Sequence, residues 1–550
     1  MRRTVNWMTP SASGGPDGTA ATGSDGLLSR REAVRRLCLL AVGSAVGTSL
    51  VGACADSAPY GRIDAESFAW PKGLIAMWDF QDDSPGSHTV TSRTGPQSTT
   101  LTARGEKTVK KDSGDPGPFG PSLLLDGETV FVKDGDIGAL DVSKTGGQVT
   151  VVNWVNDTAA DHDDTVDGKP VNGMAFRAGS HCEGGAEEAR QYGSYFDGSF
   201  YLDWSHAHYT PHIGAQDGAS PGYPWNRDYA ASARKYFTGV GQGQWHMEAF
   251  TYDGHQIVAY VDGLSDIWKD VPEPEPNVPG FTLRQTVDRN PFILDKPING
   301  SPTKKRFTIG GAVLGNPPAF AGVNFTKGKL GGVAVFNRAL TAEEIMAIRL
   351  GTLRPGEPIT KYSFEVSSMG RHPMKDIGWT AKSGPNCADV SADTDEHYHV
   401  ARQEGASKAY LQMASTAIGA TWVPITGLSS TQVKRVRFKL SAAAPSASGQ
   451  RLLVRVGDKW WTSDAAYTTN TVQKDIPDWP HADTVTHAMS WDKGHWRSVT
   501  IDESGDGALS IAEGTNQDSI PAGPLQAIGF IADGCDGSVV RVTDVELLSN

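Results

Sequence analysis

Cysteine is scarce in this chain: five in 550 residues, at positions 38, 54, 182, 387 and 535. None of the spacings is that of a metal-binding cysteine motif, and five is too few for a dense disulfide scaffold. Cys387 and Cys535 flank most of the C-terminal half and are able to close one long loop in an oxidising compartment, which would leave Cys182 free. Positive charge is also short, with 50 Lys and Arg against 63 Asp and Glu, a net charge of −13 at pH 7. That balance argues against nucleic acid or an anionic lipid surface as partner, because either needs a basic patch. Long apolar runs are lacking too. The run from Leu37 to Val51 is interrupted by Gly, Ser and Thr. At about fifteen residues it is short for the roughly 30 Å of a bilayer's hydrocarbon. No internal repeat is evident.

Glycine is abundant, at 63 residues, and Asp, Ser and Thr recur between short apolar stretches. This is the composition of a β protein with many turns. The first fifty-four residues read differently. Residues 10–28 are rich in Gly, Ser and Ala without a core pattern, as in a disordered leader. Ser29-Arg30-Arg31 follows, then Arg35 and Arg36, the apolar run, and Val51-Gly52-Ala53-Cys54. Paired arginines before a short apolar core resemble the twin-arginine export signal, and small residues before Cys54 resemble a bacterial lipobox. The resemblance implies a chain exported folded, lipidated at Cys54 and held at a cell-surface or periplasmic membrane. A single membrane-spanning anchor is the alternative. Without residues 1–53, the chain keeps 44 basic and 60 acidic side chains, a net charge of −16.

Beyond Cys54, residues 55–69 read as a tether and Gly73 to Phe80 (GLIAMWDF) as the first half-buried strand. Strand-like runs recur at Ser122–Leu125, Gln148–Val155, Trp245–Tyr252, Ile257–Val261, Phe307–Ile309 and Gly332–Phe336. Strands in series without helices between them predict an antiparallel sandwich or jelly roll. One helix stands out. Thr341 and Glu344 form a capping box, Leu340 and Ile345 a hydrophobic staple, and Gly351 marks its end. Leu353 to Pro358 (LRPGEP) reads as a linker, 353–359. Residues 360–550 carry a second strand series: Val433–Leu440, Arg451–Val456, His495–Ile501, Ala527–Ile531 and Val539–Leu547. Pro272 to Pro276 (PEPEP) reads as a stiff excursion of the first domain.

Four separated motifs, GLIAMWDF, DPGPFGPSLLLDG, WHMEAFTYDGHQIVAYVDG and GKLGGVAVFNRALTAEEIMAIRLG, resemble the LamG-like jelly roll of the concanavalin A-like lectin and glucanase superfamily. The resemblance covers about residues 70–352. It implies an all-β jelly roll followed by a second β-sandwich, but not an activity, because the fold carries lectins, adhesion modules, hydrolases and lyases alike. The chain's ending, GFIADGCDGSVVRVTDVELLS, resembles the last strands of bacterial carbohydrate-binding β-sandwiches.

Candidate chemistry concentrates in residues 172–230, read as an insertion between jelly-roll strands. Four of the fourteen histidines fall here, with many Tyr and Trp residues and several carboxylates. Such a segment is costly to bury without partners and suits a lined cleft, rings stacking on sugar faces and polar groups bonding hydroxyls. The segment also resembles one found in exported bacterial LamG-like proteins without an assigned activity, a resemblance that implies no functional residues. The ligand-binding candidates are Arg190, Gln191, Tyr192, His206, His208, His212, Tyr223, Asp228 and Tyr229. On a strand, His206 and His208 share one face, where they suit a metal, proton transfer or plain hydrogen bonds to neighbouring loops. Glu183, Glu187, Glu188 and Asp228 are acids and bases for a hydrolase, which needs two carboxylates about 5–10 Å apart. The Glu-x-Asp-x-x-Glu pattern of glucanases sharing this fold is absent, which lowers a glucanase reading. For a lyase, Tyr192, Tyr229, His206 and Arg190 are the right residue types. The catalytic candidates are thus Glu183, Arg190, Tyr192, His206 and Asp228. The acidic loop DTAADHDDTVDG offers Asp161, Asp163 and Asp164 as oxygen ligands for calcium, or is a solvated turn. Trp460-Trp461 alternates faces on a strand, so one ring is expected to face out, as a sugar platform, unless both are core.

The sequence therefore predicts a membrane-anchored, extracellular glycan-binding protein with its site at about 181–229. A polysaccharide hydrolase or lyase using the same cleft is the alternative, and a protein-adhesion module a further one.

Overall fold

The computed structural model describes residues 62–550 apart from 97, 158–164, 167–168, 171–173, 184–189, 201–205, 210, 216–227, 232, 236–243, 266–289, 295, 301–304, 315–320, 324, 363–369, 374–377, 387–397, 403–409, 415–416, 443–449, 470–482, 493, 502–518 and 533–538. Two antiparallel β-sandwiches follow one another, the all-β architecture expected of the chain. In the first, an eight-stranded sheet runs in the order Phe292–Ile293, Gln256–Val261, His246–Tyr252, Val149–Asp157, Lys327–Phe336, Gly120–Asp126 and Lys111–Gly117. The opening strand, Leu74–Trp78, pairs with Lys327–Phe336, so the first and last strands of this unit lie side by side. A ten-stranded sheet packs against it.

Alternation decides what each face buries. Along Val149–Asp157, Val149, Val151 and Val155 enter the inter-sheet core with Phe250, Tyr252, Phe307 and Ile309. Val152 and Trp154 point the other way, into a second apolar layer with Met247, Ala249, Ala334 and Phe336. That outer layer is closed by Leu340, Ile345 and Ile348 of the helix region and by Ala65, Phe68 and Trp70. The central strands of the eight-stranded sheet are therefore buried on both faces. Residues 62–69, expected as tether, belong to the fold: Ile63 N–H donates to Pro118 O at 3.0 Å, and Ala65 O accepts from Trp70 Nε1 at 2.8 Å.

Helix α1, Ala342–Gly351, forms where its cap predicts. The Thr341 side chain accepts the Glu344 N–H at 3.3 Å, and Glu344 Oε2 accepts the Thr341 N–H at 3.0 Å. Two orphan donors are thereby satisfied, and Arg338 adds an ion pair to Glu344 at 2.5 Å. The helix buries two sides. Ile345 and Ile348 face the jelly roll, whereas Met346 joins Ile359, Ile425 and Leu428 in the core of the second sandwich.

The second sandwich has a seven-stranded sheet (Gly370–Pro373, Tyr398–Arg402, Tyr410–Ala414, Val539–Leu548, Arg435–Ala442, Asp483–Ala488, with Thr360–Tyr362 beside Val539–Leu548). Its partner is six-stranded, in the order Thr380–Asn386, Ala417–Pro424, Leu525–Ala532, Gln450–Val456, Lys459–Tyr467 and Trp496–Val499. Neither Trp460 nor Trp461 faces out. Trp461 enters the inter-sheet core, and Trp460 packs against Trp422 on the opposite face, centroids 5.0 Å apart, beneath Arg455. The expectation of an exposed ring is corrected: alternation did send the rings to opposite faces, but both faces are covered.

Nor do residues 353–359 behave as a free linker. Arg349 Nε donates to Ile359 O at 3.0 Å and Nη2 to Pro358 O at 2.9 Å, while Glu357 pairs with Arg349 at 2.9 Å and Arg354 at 3.3 Å.

Candidate functional site

The segment expected as an insertion is itself sheet. Met174–Glu183 pairs on one side with Arg306–Ile309 and on the other with Arg190–Phe200. Both His206–Tyr209 and His212–Gly214 then pair with Arg190–Phe200. Asp228–Ala230 extends the second of these and Ala233–Lys235 the first. The histidine- and tyrosine-rich stretch thus builds one whole edge of the ten-stranded sheet.

Its inward side chains are structural. Tyr192 is fully buried and its hydroxyl donates to Leu140 O at 2.8 Å. Burial, with the Cys182 thiol beside it, pushes this phenol well above its ordinary value. Gln191 is equally buried: Nε2 donates to Asp141 Oδ1 at 2.9 Å and Asn299 O at 2.6 Å, and Oε1 accepts the Val142 N–H at 3.0 Å. The pair fastens the short turns Gly138–Leu140 and Val142–Lys144 to the sheet. The expected ligand contacts of both, and the proton-acceptor role of Tyr192, are corrected accordingly: a neutral phenol committed to a carbonyl in the core does not reach a ligand. Cys182 lies beside them, fully buried, its thiol 3.7 Å from Leu140 O and 3.8 Å from Gln191 Oε1.

His212 lies on the opposite face. Its Cα stands opposite Gly193, one step from the inward pair Tyr192 and Ile213. Its ring packs 4.9 Å from that of Tyr195, and a Cβ at Gly193 would come within 2.4 Å of the Tyr195 ring. Glycine is what lets the tyrosine lie there. Only 6 % of His212 is exposed, so its expected ligand contact is also corrected to a packed position.

A polar chain crosses the core nearby. Asn153 Nδ2 donates to Ser194 Oγ, which lies 2.7 Å from the Tyr209 hydroxyl. Burial raises the Tyr209 phenol well above its ordinary value, and the fully buried Glu248, in register opposite Asn153, adds to the rise. Sequence reasoning passed over Glu248. The signal was available, for it is the one carboxylate in the alternating strand His246–Tyr252, at an inward position with Phe250 and Tyr252.

Further along, backbone register gathers charge. Glu183 stands opposite Arg190 on one side and Arg306 on the other, and Arg306 stands opposite Asp134, its Nε 2.5 Å from Asp134 Oδ1. Gly214 pairs with Asp228, Ile213 with Tyr229, and Ser199 with His206. The strands carrying Glu183, Arg190, His206, His208, Asp228 and Tyr229 are placed, but these side chains lie outside the described residues, as do Glu187, Glu188, Tyr223, Cys54, Cys387, Cys535, Asp161, Asp163 and Asp164. Among the described residues, no group of three or more His, Cys, Asp or Glu is disposed to hold a metal ion.

No protein-family model and no curated protein matches the chain. Among solved structures, it is similar to domain 4 of AbnA, an extracellular GH43 arabinanase from Geobacillus stearothermophilus, in complex with arabinotriose. That likeness has 15 % identity and a TM-score of 0.29, over 50 % of this chain and 96 % of that one. The binding domain of botulinum neurotoxin DC in complex with SialylT is similar at 8 % identity and a TM-score of 0.30, over 84 % of this chain and 99 % of that one. The family 11 carbohydrate-binding module of Clostridium thermocellum, in complex with a mixed-linked tetrasaccharide, aligns over 31 % of this chain and 88 % of the module, at 10 % identity and a TM-score of 0.21. At these values the likenesses carry no argument about what this chain binds.

Proposed function

We propose that this protein binds extracellular glycan along the edge of the ten-stranded sheet, through Glu183, Arg190, His206, His208, Tyr223, Asp228 and Tyr229. The observation that supports this reading is the cross-strand row Asp134, Arg306, Glu183 and Arg190, set in register across neighbouring strands of that sheet. The eight-stranded sheet, by contrast, spends its outer face on an apolar layer sealed by α1. Alternating donors and acceptors at strand spacing suit the hydroxyls of a sugar chain. Lipidation at Cys54 after twin-arginine export places the site at a membrane surface, facing extracellular polysaccharide. The LamG-like motifs agree with that setting.

The test is a polysaccharide and oligosaccharide panel on residues 55–550, with binding and product release followed together. Binding without products, weakened at least tenfold by Arg190→Ala or His206→Ala, is the expected result. New reducing ends or unsaturated products would replace it with the hydrolase or lyase reading, and silence in both channels with protein adhesion. Repeating the panel in chelator, then with calcium restored, tests Asp161, Asp163 and Asp164 as a calcium loop: a reversible loss is expected if they hold the ion.

A further inference from the structure

Where the two sandwiches meet there is an open cavity of about 670 Å³. The jelly roll contributes Gly114–Gly117, Gln244–His246 and Asp262, α1 contributes Arg349, and the junction and second sandwich contribute Arg354–Pro358 and Lys361. Its size is that of a small-molecule site.

The charges around it are matched one against another. His246 Nδ1 lies 2.9 Å from Asp262 Oδ2, and Asp262 Oδ1 accepts the Met247 N–H at 3.0 Å. Arg349 lies 3.5 Å from Asp262 and 2.9 Å from Glu357. Arg354 pairs with Glu357 at 3.3 Å and Asp115 at 3.2 Å, and Lys361 with Asp544 at 3.3 Å and Glu546 at 3.6 Å. Burial alone would push the Asp262 carboxyl up, but Arg349 and His246 hold it well below the usual carboxylate range. Every lining cation thus already faces a carboxylate. A phosphate or uronate would have to break one of these pairs, and a metal ion would find no surplus of anionic ligands.

What the cavity offers freely is hydrogen bonding without net charge: guanidinium and ammonium edges, carboxylate lone pairs, the Gln244 amide and the peptide groups of two Gly/Pro-rich walls. Pro116, Pro355 and Pro358 stiffen those walls, and the ionic side chains are already pinned in pairs, so little freedom remains to be lost on binding. We propose that this cavity is a second saccharide site, taking a short neutral oligosaccharide that touches both sandwiches at once. The proposal rests on the glycan-binding reading for its ligand class and on the cavity's own charge balance for the ligand's neutrality.

Calorimetric titration of residues 55–550 with cellotriose, xylotriose and maltotriose, beside trigalacturonate and 3′-sialyllactose, tests it with three variants. Gln244 is exposed, so Gln244→Trp fills the cavity rim without entering a core. Arg190→Ala reads the edge-strand site, and Asp115→Asn frees Arg354 and Lys329 from one carboxylate. The expected result is a neutral trisaccharide whose affinity falls at least tenfold in Gln244→Trp and less than twofold in Arg190→Ala, with trigalacturonate affinity rising in Asp115→Asn. Neutral binding that survives Gln244→Trp but not Arg190→Ala overturns the junction site and leaves the edge-strand site standing. A Gln244→Trp-sensitive preference for trigalacturonate in the parent overturns the neutrality. If no saccharide of any kind binds, both readings fall.

Discussion

Asp83 follows the opening strand with Oδ1 accepting the Thr91 N–H at 3.0 Å and Oδ2 buried without a donor. Burial pushes its carboxyl up to about 6. The Thr91 N–H and Lys111 oppose the rise, and Asp79 and Asp82 add to it. The folded state therefore holds this proton more tightly than the unfolded chain does. The cost of ionising it is absent below the unfolded value near 3.8, grows as pH rises, and is complete above about 6. Asp83→Asn should raise stability by about 2–3 kcal/mol at pH near 7.5 and by almost nothing at pH near 3.5. Urea melts at the two pH values check this, and an equal gain at both would refute it. Gly529 is a second residue whose environment decides its identity. A Cβ there would sit 1.9 Å from Thr421 O on the neighbouring strand. Backbone has no rotamer to yield, so Gly529→Ala should cost about 3 kcal/mol in the same melts. Neither effect is visible in the chain's order of residues, nor is the burial of Gln191 and Tyr192. Residue type named both as ligand contacts; three hydrogen bonds and a carbonyl made them braces.

At the scale of elements, α1 was legible because its signals are local. A capping box spans four residues and needs nothing distant to form. Thr341→Ala should lower stability by about 1 kcal/mol; thermal melts measure it, and no change would mean that Arg338 and Glu344 hold the helix start unaided. The strands of both sandwiches were legible where apolar residues alternate, as in Val149–Asp157 and Gln256–Val261. Met174–Glu183 and Arg190–Phe200 were not, since the groups they turn inward include Cys182, Tyr192 and Ser194; the strand expected at His206 and His208 forms as His206–Tyr209. Alternation is readable only when one face is apolar and the other polar. A strand that buries hydroxyls and rings lacks that contrast, and this stretch reads as an insertion lining a cleft.

Across the molecule, the junction is tied by residues far apart in sequence. Arg349 is buried, with Asp262 and Glu357 as its counterions, and Met346 and Leu264 pack into the core of the second sandwich. The two sandwiches should therefore unfold together in a single calorimetric transition. Arg349→Met takes one cation from the buried Asp262 and one from the half-buried Glu357, leaving them only His246 and Arg354, and should cost about 3 kcal/mol. It should also separate the transition into two. A single, unshifted transition in the variant would show that apolar packing alone couples the domains.

What the chain carries in its own order is local or periodic: an arginine pair before a small-residue cysteine site, period-two strands in two series, one capped helix and a shortage of positive charge. These features need only neighbours within a few residues, so they survive being read in one dimension. Strand order, register and the covering of both sheet faces depend on segments one or two hundred residues apart. They turned Trp460 and Trp461 into core, moved Gln191, Tyr192 and His212 out of solvent, and brought Asp262, Arg349 and Glu357 around one cavity. The reason is physical: burial and charge pairing depend on distance in space, which chain position leaves open until the sheets close.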